Sequence, residues 1–211
     1  ALESQGGLVW HVPVDDEGSG WGELLGPVSG HSSNGGQLSC ARMELLADAS
    51  AVTLVGAADV RLENGSGVRS LQAERIVLSL GGDDGLSLSS AEGGVTLQMT
   101  DADGGSTTVR TATLQTLGGQ LVAEDLLVFE QDGLTVSGRG WLWNERTREL
   151  RVASDLAVSA ADQPTSPFAG LQLRATSLHA TLPSDGGGLT ASRLRLDGPV
   201  SASLPDGSQL S

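Results

Sequence analysis

The chain has 211 residues and a formal net charge of −14, and only 3% of its residues are aromatic. An acidic chain lacks the basic face that nucleic-acid phosphates require, which argues against DNA or RNA as a partner. The length fits one large all-β domain or two small ones, and the single cysteine, Cys40, excludes an internal disulfide. We interpret Cys40 as a small buried apolar side chain.

The first 37 residues have the least regular pattern in the chain. The segment "GLVWHVPV" predicts an edge strand that ends at Pro13, because proline is tolerated mainly at sheet edges. The following "DDEGSGWGELLGPVSGHSSNGG" is rich in turn-forming residues and predicts a loop region. We therefore expect residues 1–37 to form an N-terminal edge strand and loop region.

From residue 38 onward, apolar and polar residues alternate over short runs, as in "VTLQMT" and "LRVAS". Period two is typical of strands with one buried face, and glycine-rich turn signals separate the runs. The segment "SCARMELLADA" is the nearest to a helical pattern, but a strand fits it better. Short strands at this spacing indicate a sandwich, jelly roll, barrel or β-solenoid.

One eight-residue pattern recurs six times, and "LQAERIVL" is its clearest copy. The others are "LSCARMEL", "VRTATLQT", "LVAEDLLV", "LRATSLHA" and "LTASRLRL". The first two apolar positions differ in parity from the last two, so a straight strand would place them on opposite faces. A bulge at the two middle residues returns all four to one face. We predict kinked strands whose inward side chains are Leu71, Ala73, Ile76, Leu78, Leu121, Ala123, Leu126 and Val128, joined by Val136 of the next strand.

The segment "GRGWLWNERTRELR" is the one locally basic stretch. If its strand is regular, Arg139, Trp141 and Trp143 face outward together and form a docking surface for a partner or for lipid headgroups. A bulge at the Gly-Arg-Gly step would instead turn the two tryptophans into the core. Both interpretations stay open at this point.

Sequence motifs for chemistry are weak. The three histidines lack metal-ligand spacing, and "DADGGS" lacks the distal glutamate of an EF-hand calcium loop, so we predict no metal and no cofactor. No local motif joins a serine, a histidine and a carboxylate, and we expect no enzymatic activity.

Two segments resemble a known family. "LVGAADVRLENGSGVRSLQAERIVLSL" resembles the OstA-type repeat of the periplasmic lipopolysaccharide-export proteins LptA and LptC. "GQLVAEDLLVFEQDGLTVSGRGWLWNERTRELRVASDLAV" resembles the C-terminal half of LptC more specifically. The resemblance predicts an OstA/LptC-like β-jelly roll over residues 38–160. Residues 161–211, which begin within the linker candidate "AADQPTSPFAG", are expected to continue the same sheet stack and to stop within a further motif copy.

The resemblance implies an all-β, open, twisted β-jelly roll whose apolar groove holds acyl chains, lined by the inward residues above. It implies a non-enzymatic bridge for lipopolysaccharide or a similar lipid in the periplasm. The partners it implies are other β-jelly-roll export proteins, joined by edge-strand addition, and an inner-membrane transporter. A leader or membrane anchor outside this segment remains open. The alternatives are a structural or adhesive surface domain with a closed core, and a carbohydrate-binding jelly roll that stacks sugars on exposed tryptophans.

Overall fold

In the computed structural model, the described residues form no regular secondary structure other than β-strands. The structure describes residues 2–11, 20–31, 35–46, 50–64, 67–80, 86–101, 105–131, 133–144, 146–161, 169–181, 193–205 and 208–210. None of these residues is helical, and every described strand pairing is antiparallel. The prediction of an all-β fold built from kinked antiparallel strands is confirmed. Contacts divide the chain into two compact units, residues 1–104 and residues 105–211.

The described residues of unit 1 form six bent strands, of which the first three are interrupted at the bend and the last three are continuous. Each pairs with the next along the chain. The segments are β1 (Leu2–Ser4) and β2 (Leu8–His11), β3 (Trp21–Leu24) and β4 (Val28–His31), β5 (Gln37–Cys40) and β6 (Arg42–Leu46), β7 (Ala51–Asn64), β8 (Gly67–Leu80), and β9 (Leu86–Asp101).

The described residues of unit 2 repeat this plan with six bent strands and one short strand at the end. Neighbours in sequence are again neighbours in the sheet. The segments are β10 (Ser106–Leu117), β11 (Gln120–Ala123) and β12 (Leu127–Gln131), β13 (Leu134–Asn144), β14 (Glu149–Ala160), β15 (Gln172–Ala175) and β16 (Ser177–Thr181), β17 (Arg193–Asp197) and β18 (Ser201–Ser203), and β19 (Gln209–Leu210).

Within each unit this connectivity is an up-and-down meander. A jelly roll requires Greek-key crossovers, so the jelly-roll part of the predicted fold is not confirmed. The expected boundaries at residues 38 and 161 also differ from the division into units. The sequence pattern hides the division because the same kinked strand recurs on both sides of residue 104.

The N-terminal prediction was partly wrong. In the described pairings β2 lies at an edge, since it pairs only with β3. The segment expected to be a loop region, however, contains strands β3 and β4. Its glycines are compatible with strands here: Gly22 lies under the ring of Trp10, where a Cβ atom would sit 2.8 Å from the ring. The strand interpretation of "SCARMELLADA" is confirmed by β5 and β6, whereas the centre of the linker candidate, residues 162–168, lies outside the described residues.

Neighbouring strands differ by one residue where they bend. Ala123 pairs with Trp141. Leu127, four residues after Ala123, pairs with Gly138, three residues before Trp141. The same one-residue difference separates β7 from β8, where Gly56 and Ala57 face only Glu74. Such an extra residue is a β-bulge, which bends the strand and raises its twist. The bulges of adjacent strands form one bend line across each unit.

The bend keeps the apolar residues of each strand on a single inner face. We call the distance in sequence between the last buried residue before the bend and the first buried residue after it the step. A three-residue step moves the inward side chains from odd to even positions or the reverse, and a four-residue step leaves them at positions of the same parity. Three-residue steps join Cys40 to Met43 and Ala73 to Ile76. Four-residue steps join the buried pairs Leu54 and Ala58, Ala91 and Val95, Ala123 and Leu127, and Val152 and Leu156.

Backbone geometry shows why many four-residue steps need special residues. Gly56, Gly93 and Gly94 have positive φ angles, as do the non-glycine residues Ala57 (46°) and Asp155 (56°). Left-handed backbone costs roughly 1–2 kcal/mol for a residue with a side chain. These positions are tolerated because the pairing on both sides of the bend fixes the backbone.

The one-residue difference at the bend predicts opposite outcomes for two adjacent leucines. Leu127 is buried, whereas Leu126 is 47% exposed. We expect Leu127→Ala to lower the free energy of unfolding by about 2–4 kcal/mol through the lost packing. Leu126→Ala should change it by about 0.5 kcal/mol or less. Urea denaturation of both variants checks this, and a larger loss for Leu126→Ala would contradict the assigned bend.

Candidate functional site

The best-formed feature of unit 1 is an inner wall of aliphatic side chains. The four predicted inward residues of β8 are all buried, and Ile76 is 0% exposed. The two middle residues of the motif, Glu74 and Arg75, are exposed on the outside of the bend. Arg75 forms an ion pair with Glu92 of β9 at 3.2 Å. The structure therefore places Leu71, Ala73, Ile76 and Leu78 as the pattern predicted.

In unit 2 the same wall is built by a partly different set of residues. Ala123 and Val136 are buried, and Leu121 reaches the same face through its pairing with Trp143. Leu126 and Val128 do not belong to it: Leu126 is exposed, and Val128 alternates with the buried Leu127. The pattern was misassigned because this strand has a four-residue step, and the eight-residue motif presumes three.

The tryptophan pair turns inward, as a bulge at Gly-Arg-Gly requires. The β13–β14 register shifts between Ser137 and Arg139. Trp141 is 4% exposed, donates its indole N–H to the carbonyl oxygen of Gly138 at 3.0 Å, and stacks on Phe129 with ring centroids 6.5 Å apart. Trp143 lies on the same face and is half-buried.

Of the predicted docking surface, the structure leaves only Arg139 exposed on the outer side. Its guanidinium lies 3.6 Å from the carboxylate of Asp155. The interpretation in which two tryptophans and an arginine face outward together is therefore wrong. Leu142, which lies between the two tryptophans, is on the outer face opposite Arg151.

At the N-terminal edge of unit 1 the apolar inner face is open. Leu8 pairs with Leu24, which pairs with the buried Met43, so the three share the inner face. Leu8 is nevertheless 61% exposed, and its inner-face neighbour Trp10 is about half exposed. On the other side of the bend Leu2, also exposed, reaches the inner face through Gly30 and Leu38. Leu2, Leu8 and Trp10 are absent from the predicted groove lining, although the alternation Leu8–Trp10 is visible in the sequence.

The last full strand of unit 2 shows the same property. Leu194 of β17 pairs with the buried Ala180, and Ala180 pairs with the buried Leu150. Leu194 itself is 55% exposed. Among the described pairings β17 has only one partner strand, β16, so its inner side chains lack a neighbour on one side. Each unit thus exposes part of its apolar interior at an edge strand.

The outer face of unit 1 carries a polar groove of about 990 Å³. One row across it consists of Glu3, Ser29, Ser39, Asp59 and Gln72. The Gln72 amide donates a hydrogen bond to the Asp59 carboxylate at 2.6 Å. Glu3 and Asp59 are three strand spacings apart, roughly 14 Å, too far to share a metal ion. Across the described part of the chain, no cluster of three or more potential metal-ligating side chains occurs.

The histidines lie in separate surroundings. His11 stacks on Trp21 with a centroid distance of 3.8 Å and lies 3.6 Å from Glu23. His179 is 3.9 Å from Glu149, and the exposed His31 lies at the polar groove.

The described segments include no helix long and apolar enough to cross a membrane.

Cys40 lies on the inner wall beside the bend line, as expected of a small apolar residue. Burial raises the pKa of its thiol above the ordinary value, and hydrogen bonds with the backbone of Val55 and Arg42 partly offset this rise. The chain contains neither lysine nor tyrosine. Cys40 is therefore the only side chain expected to titrate between pH 8 and 11.

The alkaline stability of the protein should consequently depend on Cys40. A raised native pKa means that the unfolded state loses its thiol proton first. Stability from the protonated thiol is complete below the ordinary pKa of 9.0 and is lost as the pH rises through the folded value. We expect the free energy of unfolding to fall above pH 9 in the native chain and to stay level in Cys40→Ala. Urea unfolding at several pH values checks this, and equal slopes in the two proteins would contradict it.

Comparisons with known proteins reveal no relative of this chain. No protein-family model, curated protein or solved structure matches it. The OstA-type resemblance therefore stays a prediction. The function has to be inferred from the inner wall, the open edges and the charges of the chain itself.

Proposed function

We propose that this chain is a non-enzymatic lipid-binding module. It would shield the acyl chains of lipopolysaccharide, or of a similar envelope lipid, during transport across the periplasm. The observation that carries this proposal concerns the inner face. Rows of paired apolar residues run across its strands, from fully buried positions in the centre to exposed leucines and a tryptophan in the edge strands, and each row stays on the inner face throughout. An acyl chain at such an edge would cover the exposed part of the rows.

The chemistry of the inner face suits a fatty chain. Most of its side chains are leucine, valine, isoleucine and alanine. The buried polar side chain described in the core, Thr111, donates its hydroxyl to the carbonyl oxygen of Thr113 at 3.1 Å. Burial of an acyl chain contributes about 0.8 kcal/mol per methylene without any directional contact. A surface that holds lipid in this way also lets the chain slide along it.

The open edges support the second part of the proposal, coupling to neighbouring modules. In the described pairings β1 and β2 each have one partner strand, so one side of each backbone is unpaired. Such edges accept an added strand from another protein. We propose other β-rich export proteins as these partners and an inner-membrane transporter as the source of lipid.

A second candidate function is a structural domain with a closed core. The central side chains favour it, since Leu54 and Ile76 are 0% exposed. On that view the exposed inner leucines are ordinary edge residues. The carbohydrate-binding alternative loses its basis, because it required an exposed tryptophan pair and Trp141 is buried.

Photocrosslinking from two adjacent positions of β2 tests the lipid proposal. A benzophenone amino acid at Leu8 lies on the inner face, and the same group at Val9 lies on the outer face. Both positions are exposed, Leu8 at 61% and Val9 at 39%. With purified protein and lipopolysaccharide we expect labelling from Leu8 and little from Val9. Absence of labelling, or equal labelling at both positions, would favour the closed structural domain.

A further inference from the structure

The two faces of the open edge of unit 2 differ in chemical character: the inner face is apolar and the outer face is cationic. Leu194 and Leu196 of β17 lie on the inner face, in register with the buried Ala180 and Leu178. Arg193 and Arg195 alternate with them and are exposed on the outer face. One short edge strand thus offers apolar contact on one side and two guanidinium groups on the other.

Two neighbouring strands extend the outer, cationic side. Arg195 pairs with His179, and His179 pairs with Arg151, so the three lie in one row across β17, β16 and β14. Side chains directly opposite each other on adjacent strands have Cβ atoms about 4.5–5.5 Å apart. We call Arg151, His179, Arg193 and Arg195 the β17 outer patch. Arg151 comes from the basic stretch noted in the sequence, which the proposed function does not otherwise use.

Two carboxylates face this patch without neutralising it. Glu149 lies 3.7 Å from Arg151 and 3.9 Å from His179, and Asp197 lies 3.0 Å from Arg195. Three arginines and two carboxylates leave a charge of +1, with His179 neutral, in a chain whose net charge is −14. The guanidinium of Arg195 stays open to a ligand, since its side chain is 77% exposed.

The open edge of unit 1 differs in charge from that of unit 2. The outer face of β1 carries Glu3, and that of β3, next to β2, carries Glu23. His11 lies beside Glu23 at 3.6 Å, and Arg42 pairs with the same carboxylate at 3.1 Å. An anion would meet carboxylates at this edge and guanidinium groups at β17.

We propose that the β17 outer patch binds the phosphate-bearing headgroup of an anionic lipid whose acyl chains lie against Leu194 and Leu196. This inference rests on the proposed lipid-binding function and assigns the charge of the headgroup and the edge at which it binds. Arginine forms bidentate, charge-assisted hydrogen bonds with phosphate, and the patch is placed at the border between the apolar interior and water. The two halves of an amphiphile match the two faces of β17.

Calorimetric titration with two short-chain lipids tests this inference. Dihexanoyl phosphatidic acid and dihexanoyl phosphatidylcholine have the same acyl chains, and only the first has a net negative headgroup. We expect the native chain to bind the phosphatidic acid about tenfold more tightly, because the arginines of the patch attract its anionic headgroup. Arg193→Gln combined with Arg195→Gln should remove this preference and leave the affinity for phosphatidylcholine unchanged.

A matched control separates the patch from overall charge. Arg75→Gln combined with Arg110→Gln removes the same charge from two exposed, ion-paired arginines elsewhere, and should keep the preference. Leu194→Asn should weaken both lipids alike. Retained preference in the Arg193 and Arg195 double variant, or its loss in the control, would overturn the inference.

The remaining outcomes distinguish this inference from the function on which it rests. Equal binding of both lipids by the native chain would overturn the headgroup site and leave the lipid-binding function standing. Absence of binding by either lipid would overturn both. Inorganic phosphate at the same concentration should not displace the phosphatidic acid, and displacement by it would show a site for free phosphate instead.

Discussion

The whole structure depends on one constraint: a strand that bends must keep its apolar side chains on the same face on both sides of the bend. Side chains alternate strictly along a strand, so a bend that changed the face would bury polar groups on one half. This chain meets the constraint with β-bulges whose length alternates between neighbouring strands. A three-residue step joins Ala73 to Ile76 in β8, and a four-residue step joins Leu54 to Ala58 in the adjacent β7.

Because the bulges line up, the bend line divides each unit into two half-sheets. The long strands run through both half-sheets, and their apolar side chains lie on one common face. The interior is well packed where many strands contribute, as Ile76 and Leu156 show. It is incomplete where the meander ends, since the edge strands offer inner side chains with a neighbour on one side only. The exposure of Leu8 and Leu194 is thus a consequence of the open meander, and the proposed lipid binding depends on it.

The sequence predicts those bends at which the inward residues change from odd to even positions or the reverse. In "LQAERIVL" the two apolar pairs are out of phase, which reveals a three-residue step directly. A four-residue step leaves the parity unchanged and looks like a turn or a plain strand, so Gly56, Gly93 and Gly94 gave no usable signal. The misplacement of Leu126 has this origin. The sequence allows Trp141 to face outward in a regular strand or inward after a bulge, because both orientations satisfy the local pattern.

The two-unit division and the open edges depend on long-range pairing, which period-two alternation does not specify. Strands β3 and β4 lie in a segment whose glycines resemble turn signals, although Gly22 is covered by the ring of Trp10. The resemblance to lipopolysaccharide-export proteins supplied the acyl-chain hypothesis. The inner face supports it through the exposed leucines of the edge strands.

The central claim is that fatty chains lie along the inner face at the open edges. Methyl NMR with a fatty acid carrying a nitroxide near its chain end tests this most directly, because the nitroxide broadens methyl signals near it. The account predicts strong broadening of the Leu8 and Leu194 methyl groups and weak broadening of Val9, which lies on the outer face. Equal broadening of Leu8 and Val9, or broadening of neither, would contradict it.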